Sequence, residues 1–487
     1  MNDRRRTLTL TGLAIAVATL TAAGIGVRAT YGAQTTADEP QYLLSALSLW
    51  EDGNLDISDE LRSERYRSFH RADLPQQTRV LDDGSQISPH DPLLPLLLAL
   101  PVGLGGWVGA KAAMAAMAGL LAALVAWIAM ERFKVSPRLS VVIALVFALA
   151  PPLAIYATQV YPEVPAALAL LAGFAAVLGT FERKGRVVFT LSVIALPWLA
   201  VKYAPLATVL ALAGLVKAWR RRPIGLLVTF ALAGVIYAVG HLAIYGELTA
   251  YATGDHFTEG QLTVIGTDVN LAGRATRLIG LLVDRGFGLG AWQPAFLLAP
   301  LVVGWSATRH GPGNRLALAL IGTGWLVATF AALTMHGWWF PGRQVVVLIP
   351  LIAVLVAAWA AQATPALRRA VVALAVLGPV AFGYLLAEGL GGGLTWVVDF
   401  GATSNPFYRG GSAVLPDYMT PTTATWVLHG LWICVAAALA IWGARSIPTM
   451  TSSWMSSLEI QPTSERPSGA GQSASTSRSS ASSSATA

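Results

Sequence analysis

The chain has 487 residues, 55% of them hydrophobic and only 12% charged, with a formal net charge of +7. A soluble domain carries about twice that charged fraction, and the mean hydropathy here is +0.58, so a soluble globule is excluded. The basic excess falls in short loops between apolar runs, which marks topology and leaves little support for nucleic-acid binding.

The runs are unbroken stretches of Leu, Ala and Val without the alternation of an outer-membrane barrel, so the fold class is an all-α polytopic membrane protein. About 20 apolar residues cross a hydrocarbon core of ~30 Å. Spans are predicted near 8–27, 108–130, 139–158, 163–181, 187–200, 204–218, 224–245, 293–308, 316–335, 344–361, 370–388 and 425–444, about twelve transmembrane helices with both termini on one side. Leu8 to Val27 is longer than the apolar core of a secretory signal and is read as a retained first helix. The short pair 187–200 and 204–218 is read as two spans broken around Pro197 and Pro205, because the later basic loops keep their side only on that count. Arg4, Arg5, Arg6, Arg132, Arg183, Lys184, Arg220, Arg221, Arg368 and Arg369 then fall on the side of the termini, which the positive-inside rule makes cytoplasmic. Cys434 is the single cysteine, so no intrachain disulfide is expected.

The expected organisation is a transmembrane domain over 1–448 followed by a Ser-rich, disordered cytoplasmic tail over 449–487. Outer loops are expected at 28–106, 246–292 and 387–425. In the first of these, Tyr42, Leu43, Leu47 and Trp50 share one helical stripe, which predicts an amphipathic juxtamembrane helix over 40–50 lying in the membrane plane. The apolar segment 92–101 is too short to span and predicts a second juxtamembrane or re-entrant helix.

Ionisable residues at the ends of spans are costly and therefore candidates for function. They are Asp38, Glu39, His90, Asp91, Glu163, Lys202, Asp284, Arg285, His336 and Arg343, all at outer helix ends or in outer loops. Asp38-Glu39 before Pro40 reads equally as a helix cap or as a carboxylate whose pKa burial raises toward that of a general base. Glu163, between Pro162 and Pro165, is either a charge at a helix N-terminus or a second site carboxylate. Lys202 and Arg343 are either snorkelling cations or groups that hold a lipid phosphate, and Arg285 is a less specific third.

These elements together resemble the GT-C superfamily of integral-membrane glycosyltransferases, the group with the protein O-mannosyltransferases and the aminoarabinose transferase of lipid A. The resemblance runs over roughly 1–360: Asp38-Glu39 with Tyr42, Ser88-Pro89-His90-Asp91-Pro92, Tyr161-Pro162-Glu163, Trp198 through Lys202-Tyr203, Asp284-Arg285-Gly286-Phe287-Gly288, and His336 with Trp338-Trp339-Phe340-Pro341-Gly342-Arg343. It implies a sugar donor carried on a polyprenyl phosphate and transfer to a lipid, glycan or protein acceptor on the extracytoplasmic face of the plasma membrane. It also implies Asp38 as catalytic base, assisted by Glu39, with Lys202 and Arg343 near the donor phosphate and Glu163 orienting sugar or acceptor. Tyr42, His90, Asp91, Tyr203, Arg285 and His336 would complete substrate binding. The first outer loop has no Asp-x-Asp, so no metal or other cofactor is expected. A multi-pass transporter or lipid flippase is the rival reading, although such proteins place ionisable groups near the midplane on broken helices. A non-catalytic envelope partner is disfavoured by the joint presence of Asp38, Glu163, Lys202 and Arg343.

Overall fold

Each of the twelve apolar segments contains helix in the computed structural model, which describes residues 2–75, 77–221, 223–254, 270–309, 311–332 and 334–446; the segment near 139–158 is broken between Ala148 and Leu153. The predicted tail at 449–487 and the 255–269 part of the second outer loop lie outside the described residues. Among the described residues seven helices are long and apolar enough to cross a membrane, and Pro137–Ala148, Glu163–Leu178 and Pro294–Ala307 are shorter apolar helices. Among the described residues there are isolated β-bridges but no strands. The short pair is indeed two helices, Arg183–Leu199 and Ala204–Ala218, separated at Ala200, whose backbone is extended.

The first helix, Asp3–Ala22, buries Leu13, Val17 and Thr21. It packs along Leu93–Glu131, and a Cβ on Gly119 would collide with the carbonyl of Ala14, so the two backbones approach closely. Arg6 bonds Glu131 at 2.5 Å, which ties the start of the first helix to the end of the second. Proline opens several helices where its missing N–H costs nothing; Thr364, whose hydroxyl accepts the Leu367 N–H at 3.4 Å, caps the helix that begins at Pro365.

The first outer loop departs from expectation in its setting. Glu39–Glu51 is helical, but Glu39 through Ala46 and Ser48 are all buried, so protein covers the face expected to meet lipid. Its apolar stripe meets Leu93–Glu131, and Trp50 lies over Gly103, where a Cβ would overlap the indole. The second juxtamembrane helix exists and runs on into the following span. The two are separated at Gly106, whose φ of 58° and ψ of −150° are open to glycine and strained for other residues.

The final helix, Thr423–Arg445, packs backbone to backbone on Ala299–Ala307. A Cβ on Gly304 would overlap the Ala440 carbonyl, and one on Gly443 the Leu301 carbonyl. Gly443→Leu is expected to cost about 1–3 kcal/mol through overpacking and to lower the melting temperature of the purified protein. Gly430→Leu, on the same helix with nothing within 4 Å of its Cβ position, should leave it unchanged or raise it.

Candidate active site

Asp38 is held just outside the Glu39–Glu51 helix by Ala37, whose φ of 47° lies in the left-handed region. Although Asp38 occupies the N-cap position, its side chain makes no cap hydrogen bond. Glu39 turns the other way. Its Oε2 accepts the Thr36 N–H at 3.0 Å and its Oε1 the Val160 N–H at 2.8 Å, so it joins the turn before one helix to the segment before another. The Tyr161 hydroxyl donates to the Thr36 carbonyl at 3.1 Å and closes the same junction.

Four charged side chains then form a continuous chain. Arg343 donates from Nη2 to Asp38 Oδ2 at 2.5 Å and from Nε to Glu163 Oε1 at 3.2 Å. Lys202 donates to that same Glu163 oxygen at 2.8 Å. Glu163 is 1% exposed, Arg343 9%, Asp38 23% and Lys202 26%, so the chain opens toward solvent at its two ends. The guanidinium lies 4.1 Å from the Tyr161 ring centre and 5.0 Å from that of Trp339, an aromatic shelf that favours a partly desolvated cation. Removing one member of such a buried array strands the others, typically at about 3–5 kcal/mol.

Beside this array Tyr42 stacks on His90 with ring centres 4.6 Å apart, and His90 Nε2 is 4.0 Å from Asp38 Oδ1. Asp91 is buried. Its Oδ1 meets His241 Nε2 at 2.9 Å and its Oδ2 accepts the Val201 N–H at 3.1 Å, so it anchors the turn that presents Lys202. Tyr245 donates to the His90 carbonyl at 2.8 Å. Asp38, Tyr42, His90, Asp91, Lys202, Tyr203 and Arg343 line a cavity of about 390 Å³ whose far wall, including Leu206, Val327, Ala328, Ala331 and Val347, is apolar.

Burial alone pushes the Asp38 carboxyl up, but Arg343, His90 and Lys202 outweigh it and hold the group at about 2, below its ordinary 3.8. This is the opposite of the raised value that the sequence suggested, because the cations that reach it, Arg343 above all, come from distant parts of the chain. Glu39, which burial dominates, is shifted upward.

Glu163 stands behind Lys202 and Arg343 and does not line the cavity; neither does Glu39. Arg285 and His336 belong to another cluster. Arg285 donates from Nε to the Ser412 carbonyl at 2.9 Å, and His336 Nε2 lies 3.5 Å from Asp284 Oδ2. Asp284 is spent on the turn after it, accepting the Gly286 and Phe287 N–H groups. Sequence reading missed His241 and Lys111, the latter buried with its ammonium donating to the Gln34 carbonyl at 2.6 Å. Their signal was a lone ionisable residue inside an apolar run. It also missed Tyr161 and Trp339 as the shelf beneath Arg343.

Fold and helix composition define an all-helical polytopic membrane protein with a GT-C-like fold. Two solved structures similar to it in fold are those of ArnT from Cupriavidus metallidurans. In the apo state the match has a TM-score of 0.51 at 15% identity over 90% of this chain and 74% of ArnT. For ArnT bound to undecaprenyl phosphate it is 0.50 at 14% identity over 91% and 75%. No protein-family model and no curated protein matches the sequence.

The lowered Asp38 value fixes the sign of an acid dependence. A carboxyl depressed from 3.8 to about 2 adds stability that is fully present above pH 3.8 and is lost as pH falls toward 2. The unfolding free-energy gap between wild type and Asp38→Asn should therefore shrink by about 2 kcal/mol over that window, as measured by denaturation at a series of pH values. A gap independent of pH would show that Asp38 does not hold its charge against Arg343.

Proposed function

We propose that the protein is a membrane glycosyltransferase that moves a sugar from a polyprenyl-phosphate carrier to a hydroxyl of a lipid, glycan or protein acceptor on the extracytoplasmic face of the plasma membrane. The observation that carries this reading is the chain Asp38, Arg343, Glu163, Lys202 at the edge of a cavity with one polar and one apolar wall. The ArnT structure with undecaprenyl phosphate bound supports the same donor class. The apolar wall suits a lipid carrier, and the two cations suit its phosphate.

The reaction is a single displacement. The acceptor oxygen bonds to the anomeric carbon, the bond from that carbon to the phosphate oxygen breaks, and the polyprenyl phosphate leaves with the electron pair. Asp38 takes the acceptor proton, and the configuration inverts. Lys202 and Arg343 offset the charge that grows on the departing phosphate, so the step requires no acid and no metal. A carboxyl held at about 2 is a weak base. Donor binding corrects this, because a phosphate that engages Arg343 and Lys202 loosens their hold on Asp38 and raises its proton affinity. The enzyme thus becomes basic only when the donor is in place. Glu39 acts as a positioning residue through its two backbone bonds, and Glu163 keeps both cations charged and aimed.

The test is transfer of labelled sugar by the purified protein from a panel of synthetic polyprenyl-phosphate sugars. Wild type should turn over at least one donor, and Asp38→Asn should lose about 10²–10⁴-fold in kcat while still melting cooperatively. Lys202→Met should also lose turnover with every donor that the wild type uses, since each releases the same phosphate. Failure with every donor together with sugar or lipid translocation in proteoliposomes would place the protein among transporters instead.

A further inference from the structure

A second cluster of acids lies in the first outer loop, away from the cavity. The Glu39–Glu51 helix ends at Asp52, and the chain returns through Asn54 and Asp56 to the short helix Ser58–Arg62. Two of the polar side chains here are used in folding the turn. Asn54 Oδ1 accepts the Asp56 N–H at 2.8 Å and the Ser48 hydroxyl at 2.9 Å. Asp56 Oδ1 accepts the Ser58 N–H at 3.0 Å and the Gln86 N–H at 2.9 Å, and its Oδ2 accepts the Ser58 hydroxyl at 3.1 Å.

Asp52, Asp59 and Glu60 remain, and one carboxylate oxygen from each lies within 4.8 Å of the others. Asp52 and Asp59 are exposed, but Glu60 is 2% exposed and neither of its oxygens has a hydrogen-bond partner. A desolvated carboxylate without a donor, facing two further carboxylates, is strongly disfavoured unless a positive charge or a proton joins it. Arg65 is the neighbouring cation, and it is committed to Glu51 through Nη1 at 2.9 Å and Nη2 at 2.7 Å. The carbonyl end of the Glu39–Glu51 helix adds further negative potential at Asp52.

We propose that Asp52, Asp59 and Glu60 form a binding site for a hard divalent cation of the Ca²⁺ type. All three ligands are oxygens, which selects Ca²⁺, Mg²⁺ or Mn²⁺ over softer ions. Ca²⁺ accepts six to eight oxygens in a flexible shell, which suits one buried and two exposed carboxylates, whereas Mg²⁺ demands a strict octahedron. The buried Glu60 supplies the fixed ligand, the exposed pair adjusts, and water completes the shell on the open side. The ion is structural and independent of the proposed chemistry. It locks the turn whose Asp56 holds Gln86, just ahead of His90 and Asp91 in the chain.

The experiment is thermal unfolding of the full chain in detergent after EGTA treatment, with CaCl₂ or MgCl₂ added back, alongside Tb³⁺ luminescence excited through tryptophan. CaCl₂ at about 1 mM, the range of weak extracellular sites, should raise the wild-type melting temperature by several degrees, and MgCl₂ by less. Asp59→Asn and Glu60→Gln should each abolish that shift and the Tb³⁺ signal while melting in EGTA at or above the wild-type temperature, since each removes repulsion. Asp52→Asn, at the exposed edge, should weaken Ca²⁺ binding without loss of fold. A wild-type melting temperature indifferent to Ca²⁺ would overturn the site and leave Glu60 as a protonated acid sharing its hydrogen with Asp59. A Ca²⁺ shift that persists in both Asp59→Asn and Glu60→Gln would overturn it equally, by placing the ion elsewhere.

Discussion

The interaction on which the site depends is the bridge that Arg343 makes between Asp38 and Glu163. It joins the turn after the first helix to the start of Glu163–Leu178 and to the segment that leads into Ile349–Gln362. A guanidinium can do this because its fork reaches two carboxylates in one plane while its faces rest on Tyr161 and Trp339. A lysine has one point of charge and no face, so it would satisfy one carboxylate and abandon the other. Burial makes the bridge consequential: with Glu163 almost fully enclosed, each charge is tolerable only while the others are present.

The fold was largely legible in the sequence because apolar length is a blunt signal that a membrane protein cannot disguise. Every predicted span contains helix, although the segment near 139–158 is broken after Ala148, and the broken pair around Ala200 was readable from Pro197 and Pro205. The error in the first loop has a physical cause. An apolar stripe such as Tyr42, Leu43 and Leu47 says that one face avoids water, but not whether lipid or protein covers it, and here Leu93–Glu131 does.

The site was legible in its members more than in its connections. Asp38, Glu163, Lys202 and Arg343 stood out because an ionisable group at a helix end is rare. Their pairing was not visible, and it reversed the expected direction of the Asp38 shift. Glu39, adjacent to Asp38 and equally acidic, points into the backbone, since successive residues at a helix start project in different directions. Arg285 and His336 shared the same sequence signal and went to a different cluster. The His241–Asp91 pair was hidden because histidine in an apolar run is as often packed as functional.

The ion pair between Arg6 and Glu131 bears on how the molecule is made. Synthesis proceeds from the N-terminus, so the first helix enters the bilayer long before Leu93–Glu131 exists to receive it. In the interval the surface around Ala14 lacks its partner, because the contact at Gly119 can form only once the Leu93–Glu131 helix has been made. Asp38 is therefore an early resident that waits for Glu163, then for Lys202, and last for Arg343. The charge array closes from its acidic side: Lys202 can pair with Glu163 when it is made, and Asp38 waits for Arg343. Arg343, the last of the four in the chain, supplies the contact that joins Asp38 to Glu163 and completes the array.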